Sequence, residues 1–141
     1  MECEFATINS NNEEILEILD SVKTIAILGL SPDESKASNM VAKFMQNRGY
    51  KIVPVYPKED TILGEKVYRS LLEIPFAVDM VDIFRKPAVF DAVADACIKR
   101  GDVKVFWGQL GLVNNEAAGK ARDAGMKVVQ NHCPKIVLSN R

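Results

Sequence analysis

The 141-residue chain has the length of one ordinary domain, and its 48% hydrophobic and 26% charged residues match a globular composition. Lys and Arg number 18 against 19 Asp and Glu, so the formal charge of −1 leaves no cationic excess for a nucleic-acid backbone or an anionic membrane surface. Neither partner is expected. No apolar run approaches the about 20 residues of a membrane span, and the start Met1-Glu2-Cys3-Glu4 is acidic where a secretory leader is basic, so the expected location is cytoplasmic. Cys3, Cys97 and Cys133 make neither an even framework nor a CxxC pair, and His132 is the single histidine. Reduced thiols are expected, and no disulfide scaffold or multi-histidine metal site.

The elements follow in chain order. Ser10-Asn11-Asn12-Glu13 has the form of a capping box, which predicts a helix carrying Ile15, Leu16, Ile18 and Leu19, so that residues 1–22 form an N-terminal helical extension. A first strand is read at Thr24–Leu28, then a helix from Ser38 to Arg48 with Met40, Val41, Phe44 and Met45 on one face, ended by Gly49. The second strand, Lys51–Val55, leads into a weaker crossover: Tyr56–Leu63, a turn at Gly64, and one helical turn at Ser70–Ile74 stopped by Pro75. The third strand, Asp79–Ile83, precedes a helix opened by Pro87 and stopped at Arg100-Gly101. A fourth strand at Val103–Phe106, a helix capped by Asn114 and ended by Gly125, and a fifth strand at Lys127–Val129 complete the string αβαβαβαβαβ. Continuous apolar strands imply burial on both faces. The expected fold is therefore one α/β domain over residues 1–141, a Rossmann-like, doubly wound, five-stranded parallel sheet with helices on both faces. Ligands of such folds bind beyond the carboxyl ends of the strands, which directs attention to the loops after Leu28, Val55, Ile83 and Phe106.

The loop Gly29-Leu30-Ser31-Pro32-Asp33-Glu34-Ser35-Lys36-Ala37-Ser38 joins the first strand to a helix start. There a glycine permits close backbone approach, free N–H groups favour an anion, Ser31 and Ser38 offer hydroxyls, and Lys36 offers charge. Only the first glycine of the G-x-G-x-x-G pattern is present, and the second strand ends Pro54-Val55-Tyr56-Pro57 without the acid that holds an NAD ribose. A simple glycine-containing turn is the competing reading. No Gly-Lys-Ser/Thr occurs, so nucleotide hydrolysis is not supported. A phosphoacceptor domain shares the strand order but needs an acidic pair after the first strand and an aspartate ending the third; Leu28-Gly29 and Ile83-Phe84-Arg85 supply neither.

Six co-linear stretches between about residues 20 and 138 resemble a known family. They are Ile25-Ala26-Ile27-Leu28-Gly29-Leu30-Ser31, Ile52-Val53-Pro54-Val55-Tyr56-Pro57, the segment from Ile62 to Leu71, Val81-Asp82-Ile83-Phe84-Arg85, Trp107-Gly108-Gln109-Leu110-Gly111, and His132-Cys133-Pro134-Lys135-Ile136. The family is the small stand-alone CoA-binding proteins of prokaryotes, which resemble the N-terminal CoA-binding domain of the succinyl-CoA synthetase α subunit. The resemblance implies that Gly29, Leu30, Ser31, Lys36 and Ser38 wrap the phosphates of coenzyme A or an acyl-CoA. Pro54, Val55, Tyr56 and Pro57 would wall the adenosine, with Lys58 a further phosphate candidate. Phe84 and Arg85 would close over the nucleotide, and Gln109 would face the pantetheine arm. Tyr56 stands where the family often has asparagine, and His132 where arginine often precedes the cysteine.

The synthetase's phosphohistidine belongs to a separate domain, so ligase chemistry is not expected. The resulting expectation is a non-catalytic binding or regulatory module for a small nucleotide ligand. Two rivals remain open: an enzyme or enzyme partner acting on CoA thioesters, with Cys133, His132, Asp82 and Glu65 as eligible groups, and an NAD(P)-binding regulatory domain. A homo-oligomer or a protein partner that completes the site also remains open. Cys133, beside Lys135, is read either as a buried hydrophobe or as a thiol that pairs with CoA.

Overall fold

A computed structural model describes residues 5–141, and Cys3 lies outside them. Five parallel strands form the main sheet: β1 (Thr24–Leu28), β2 (Lys51–Val55), β5 (Met80–Ile83), β6 (Val105–Gly108) and β7 (Lys127–Val129), in the order β2-β1-β5-β6-β7. A separate two-stranded hairpin, β3 (Thr61–Ile62) and β4 (Glu65–Lys66), interrupts the second crossover. The chain leaves β1 toward β2 on one side and returns to β5 on the other. The switch point therefore lies between the carboxyl ends of β1 and β5, where Leu28 pairs with Ile83.

Burial explains the strand composition. Along β5, Val81 and Ile83 enter one core layer, and Met80 enters the other. The first layer packs under α3 (Phe90–Arg100) and α4 (Asn115–Asp123), and the second under α1 (Asn12–Ser21), α2 (Ala37–Asn47) and α5 (Pro134–Ser139). Strands covered on both faces cannot alternate polar and apolar residues. Asn114 caps α4 by accepting from the Ala117 N–H, and Gly101 ends α3 in the left-handed region.

Several expectations are corrected. The capping box is one residue later, with Asn11 and Glu14 as the reciprocal pair, while Ser10 Oγ donates to the Val128 carbonyl at 2.6 Å. In α2 the inward residues are Ser38, Asn39, Val41, Ala42 and Met45, whereas Met40 is 45% exposed. The fourth sheet strand starts two residues after the predicted Val103, because Val105 is the first residue in register with Met80. That slip puts Gln109 at the strand end, its N–H bonded to the Ile83 carbonyl. The second crossover holds no α-helix, only the hairpin and a 3-10 turn at Leu71–Glu73, and α5 adds a helix after the last strand.

This helix-free crossover is fastened by Arg100 at the end of α3. Its guanidinium donates to the carbonyls of Leu71, Ile74 and Phe76 at 2.8–2.9 Å and to both oxygens of Asp102. The Arg100 side chain is 8% exposed. Burial works against the Asp102 charge, but the Arg100 hydrogen bonds and the Val78 N–H outweigh it and hold the carboxyl below its ordinary value.

Candidate functional site

At the carboxyl edge of the sheet the Gly29 loop is built from its own short-range bonds. Asp33 Oδ1 accepts from the Ser35 N–H and hydroxyl, Ser31 Oγ accepts from the Asp33 N–H, and Asn39 Nδ2 donates to the Ser31 carbonyl. The hydrogen bonds from Ser35 hold the Asp33 carboxyl below its ordinary value. These bonds close the loop onto the start of α2. Lys36 is the N-cap residue there, and its side chain makes no capping bond. The first backbone bonds back to the Lys36 carbonyl come from Asn39 and Met40, which leaves the Ala37 and Ser38 N–H groups at the helix start without a helical acceptor.

The predicted phosphate residues fall into two groups. Ser38 is 5% exposed and its Oγ accepts from the Ser31 N–H, so the hydroxyl serves the loop; it has a backbone N–H to offer an anion. The Leu30 side chain is fully buried in the α2 layer and likewise contributes only backbone. Lys36 is exposed beside them, and Ser31 is half-buried.

Gly29 has φ +85, and a Cβ there would stand 2.9 Å from both the Phe84 carbonyl oxygen and Arg85 Cδ. The space that a glycine opens is thus filled by the switch-point backbone of the chain itself. A Gly29→Val change strains the turn and pushes against Phe84 and Arg85 just after β5, so it reports on the fold before it reports on any ligand.

Beside this ridge lies a slot of about 220 Å³ on the α3 side of the sheet. Gly29, Val55, Tyr56, Pro57 and Arg85 line it, which brings three residues of the expected adenosine wall, Val55, Tyr56 and Pro57, together with one expected phosphate residue and Arg85. Its opposite wall was not anticipated: Val89, Ala92, Val93 and Ala96 of the third crossover, with Arg69, Ser70 and Leu71 below. The slot is smaller than the about 300–1,000 Å³ that encloses a whole drug-sized ligand. Pro54 is buried in β2 and is outside the slot, as are Lys58, Phe84 and Gln109.

Arg69 shapes the loop after β2. Its Nη1 donates to the carbonyls of Tyr56 and Lys58 at 3.1 and 3.0 Å, which holds Tyr56-Pro57-Lys58 in place. Its arginine side chain was visible in the sequence, but its carbonyl partners 13 and 11 residues away were not. Arg85, Lys86 and Lys58 are exposed and make no salt bridge among the described residues. The edge therefore presents unpaired cations around an apolar slot.

The groups eligible for catalysis are scattered. Glu65 is on the hairpin, and His132 Nδ1 lies 2.7 Å from the Gln130 carbonyl. Cys133 is 6% exposed at the start of α5, and Asp82 is 1% exposed, with burial pushing its carboxyl well above the ordinary value.

A larger hollow of about 870 Å³ opens at the amino ends of the strands, lined in part by Glu17, Asp79, Asp102 and Lys104. Two of its acids are already engaged: Asp79 accepts from the Lys23 and Thr24 N–H groups, and Asp102 binds Arg100. Among the described residues the helix-start N–H groups of Ala37 and Ser38 are unpaired at the other edge, beside the exposed Lys58, Arg85 and Lys86, so the smaller slot joins an apolar wall to backbone anion donors.

Among the described residues no helix is long and apolar enough to cross a membrane. A Bacillus subtilis protein, YneT, is 41% identical over 128 residues, covering 91% of this chain and 94% of the relative. A solved structure, a hypothetical protein from Pyrococcus horikoshii OT3, superposes with a TM-score of 0.89 at 37% identity and covers 99% and 98% of the two chains. The α subunit of an ADP-forming acetate–CoA ligase from Pyrococcus furiosus is 35% identical over 130 residues, but the match spans only 28% of that subunit's length. The family model described as the CoA binding domain matches residues 23–139, nearly the whole chain after α1, and the chain belongs to that family.

Proposed function

We propose that the chain binds coenzyme A or an acyl-CoA as a non-catalytic binding or regulatory module. The observation that carries this reading is the pairing of an apolar slot with unpaired cations at a switch point where no acid ends β2. Adenine enters the slot between Tyr56-Pro57 and the Val89, Ala92, Val93 and Ala96 face. The pyrophosphate meets the Ala37 and Ser38 N–H groups and Lys36, which an N-terminal helix dipole reinforces. Arg85 and Lys58 take the remaining phosphate charge. Gln109 at the end of β6 faces the pantetheine arm. The scatter of Glu65, His132, Cys133 and Asp82 supports a binding role over an acid–base mechanism.

Calorimetric titration of the purified protein with CoA and with NAD tests the reading. CoA should bind at least about tenfold more tightly, because NAD loses its ribose acid here and lacks the third phosphate for the free cations. Tighter binding of NAD would overturn the assignment.

A further inference from the structure

Among the described residues five polar or charged side chains are buried: Ser38, Asn39, Asp82, Gln109 and Gln130. The first four gather in the α2-side layer near the switch point. Ser38 and Asn39 are occupied with the Gly29 loop, whereas both carboxyl oxygens of Asp82 and the Oε1 of Gln109 are buried without a hydrogen-bond partner. A buried acceptor left unmatched is rare in native structures, and each of the three calls for a donor.

Register brings these groups near each other. Asp82 pairs with Ile27 on one side and Trp107 on the other, and both neighbours face the α2 layer. Gln109 comes two residues after Trp107, so strand alternation carries its side chain to the same face, diagonal to Asp82. Trp107 Nε1 is already committed to the His132 carbonyl at 2.9 Å and cannot serve either group. The helices turn aliphatic and uncharged polar residues toward this layer; the other titratable groups packed there among the described residues are the Cys133 thiol and the phenols of Tyr50 and Tyr56, none of which can carry a positive charge. Among the described residues no cation pairs with a carboxylate at Asp82. An isolated buried charge is avoided by keeping the proton, which is the direction in which burial moves this carboxyl.

We propose that Asp82 keeps its proton and donates it to Gln109 Oε1, which fixes the Gln109 carboxamide with its N–H groups turned to the carboxyl edge as donors for the acceptor-bearing arm of a CoA-type ligand. One proton turns one Asp82 oxygen into a donor and satisfies Gln109 Oε1, which leaves the second carboxyl oxygen as the single unmatched acceptor of the three. Gln109 Nε2 fits this orientation: it makes no hydrogen bond within the described residues and is absent from the fully buried partnerless atoms. Asp82 is then a positioning residue that never touches the ligand. The proposal rests on the CoA reading for its ligand half only.

Infrared spectroscopy at neutral pH tests the proton without any ligand. Exposed carboxyls are ionised there, so a protonated-acid carbonyl band should be present in the wild type and lost in Asp82→Asn. In Gln109→Leu the same band should move to higher wavenumber as the O–H loses its acceptor. Absence of the band, or a band indifferent to Gln109→Leu, would overturn the pairing. For the ligand half, CoA is titrated into folded variants. Asp82→Asn keeps a donor and should bind within about twofold of wild type, whereas Asp82→Leu frees the carboxamide and should bind about tenfold more weakly. Equal affinities for the two variants would refute the positioning role. A wild type that binds no CoA would overturn the proposed function and this ligand half, while the infrared bands would still decide the pairing.

Discussion

Replacing Arg100 with leucine is expected to cost about 3–5 kcal/mol of stability, because three backbone carbonyls and the partly exposed Asp102 carboxylate lose a buried guanidinium together. The substitution leaves the apolar stem in place and removes the fork that holds the Leu71, Ile74 and Phe76 carbonyls and the Asp102 carboxylate. With the side chain 8% exposed, water replaces those donors poorly. Urea unfolding monitored by circular dichroism measures the loss. Arg100→Lys keeps a charge but not the planar five-donor geometry and should recover only part of it. A loss below about 1 kcal/mol would class the cluster with exposed pairs and leave the helix-free crossover held by its apolar contacts alone.

Arg85→Ala is expected to weaken CoA binding about ten- to a hundredfold while leaving the fold intact. An ion pair with Asp82 or Glu59 would be the competing role for Arg85, and among the described residues the structure has neither. Asp82 is buried in the α2 layer without a partner, and Arg85 lines the slot on the α3 side. Because the charge is not already used within the protein, its removal should appear in ligand affinity rather than in stability. Titrating CoA and dephospho-CoA into wild type and variant separates its targets. Equal losses for both ligands place Arg85 on the pyrophosphate; a loss for CoA alone places it on the ribose 3′-phosphate. No loss for either would contradict the assignment.

The strands were legible because burial on both faces leaves a plain mark in sequence: β1 and β2 have the predicted bounds, Thr24–Leu28 and Lys51–Val55. The fourth sheet strand was misplaced by the same signal. Val103 is apolar because it packs in the α3 layer, although its backbone precedes the ladder, and Trp107 and Gly108 pair instead. The hairpin at Thr61–Ile62 and Glu65–Lys66 is too short to have a period, and a six-residue α5 has barely more than a turn. At the site, the near wall of the slot was readable from Tyr56 and Pro57 at a strand end. The far wall was not, since Ala92 and Ala96 look like core positions of any helix until α3 is docked. Nor could sequence show that the freedom at Gly29 serves the Phe84 carbonyl, or that Ser38 turns its hydroxyl inward.

The most direct test follows backbone amide shifts by NMR during a titration with CoA. The account predicts that the shifts concentrate at the carboxyl edge: Gly29, Ser31, Ala37, Ser38, Tyr56, Arg85 and Gln109. Glu17, Ser21, Asp102, Lys104 and Lys127 around the larger amino-edge hollow should stay still. Saturating shifts at that hollow with a silent Gly29–Ser38 loop would contradict the account.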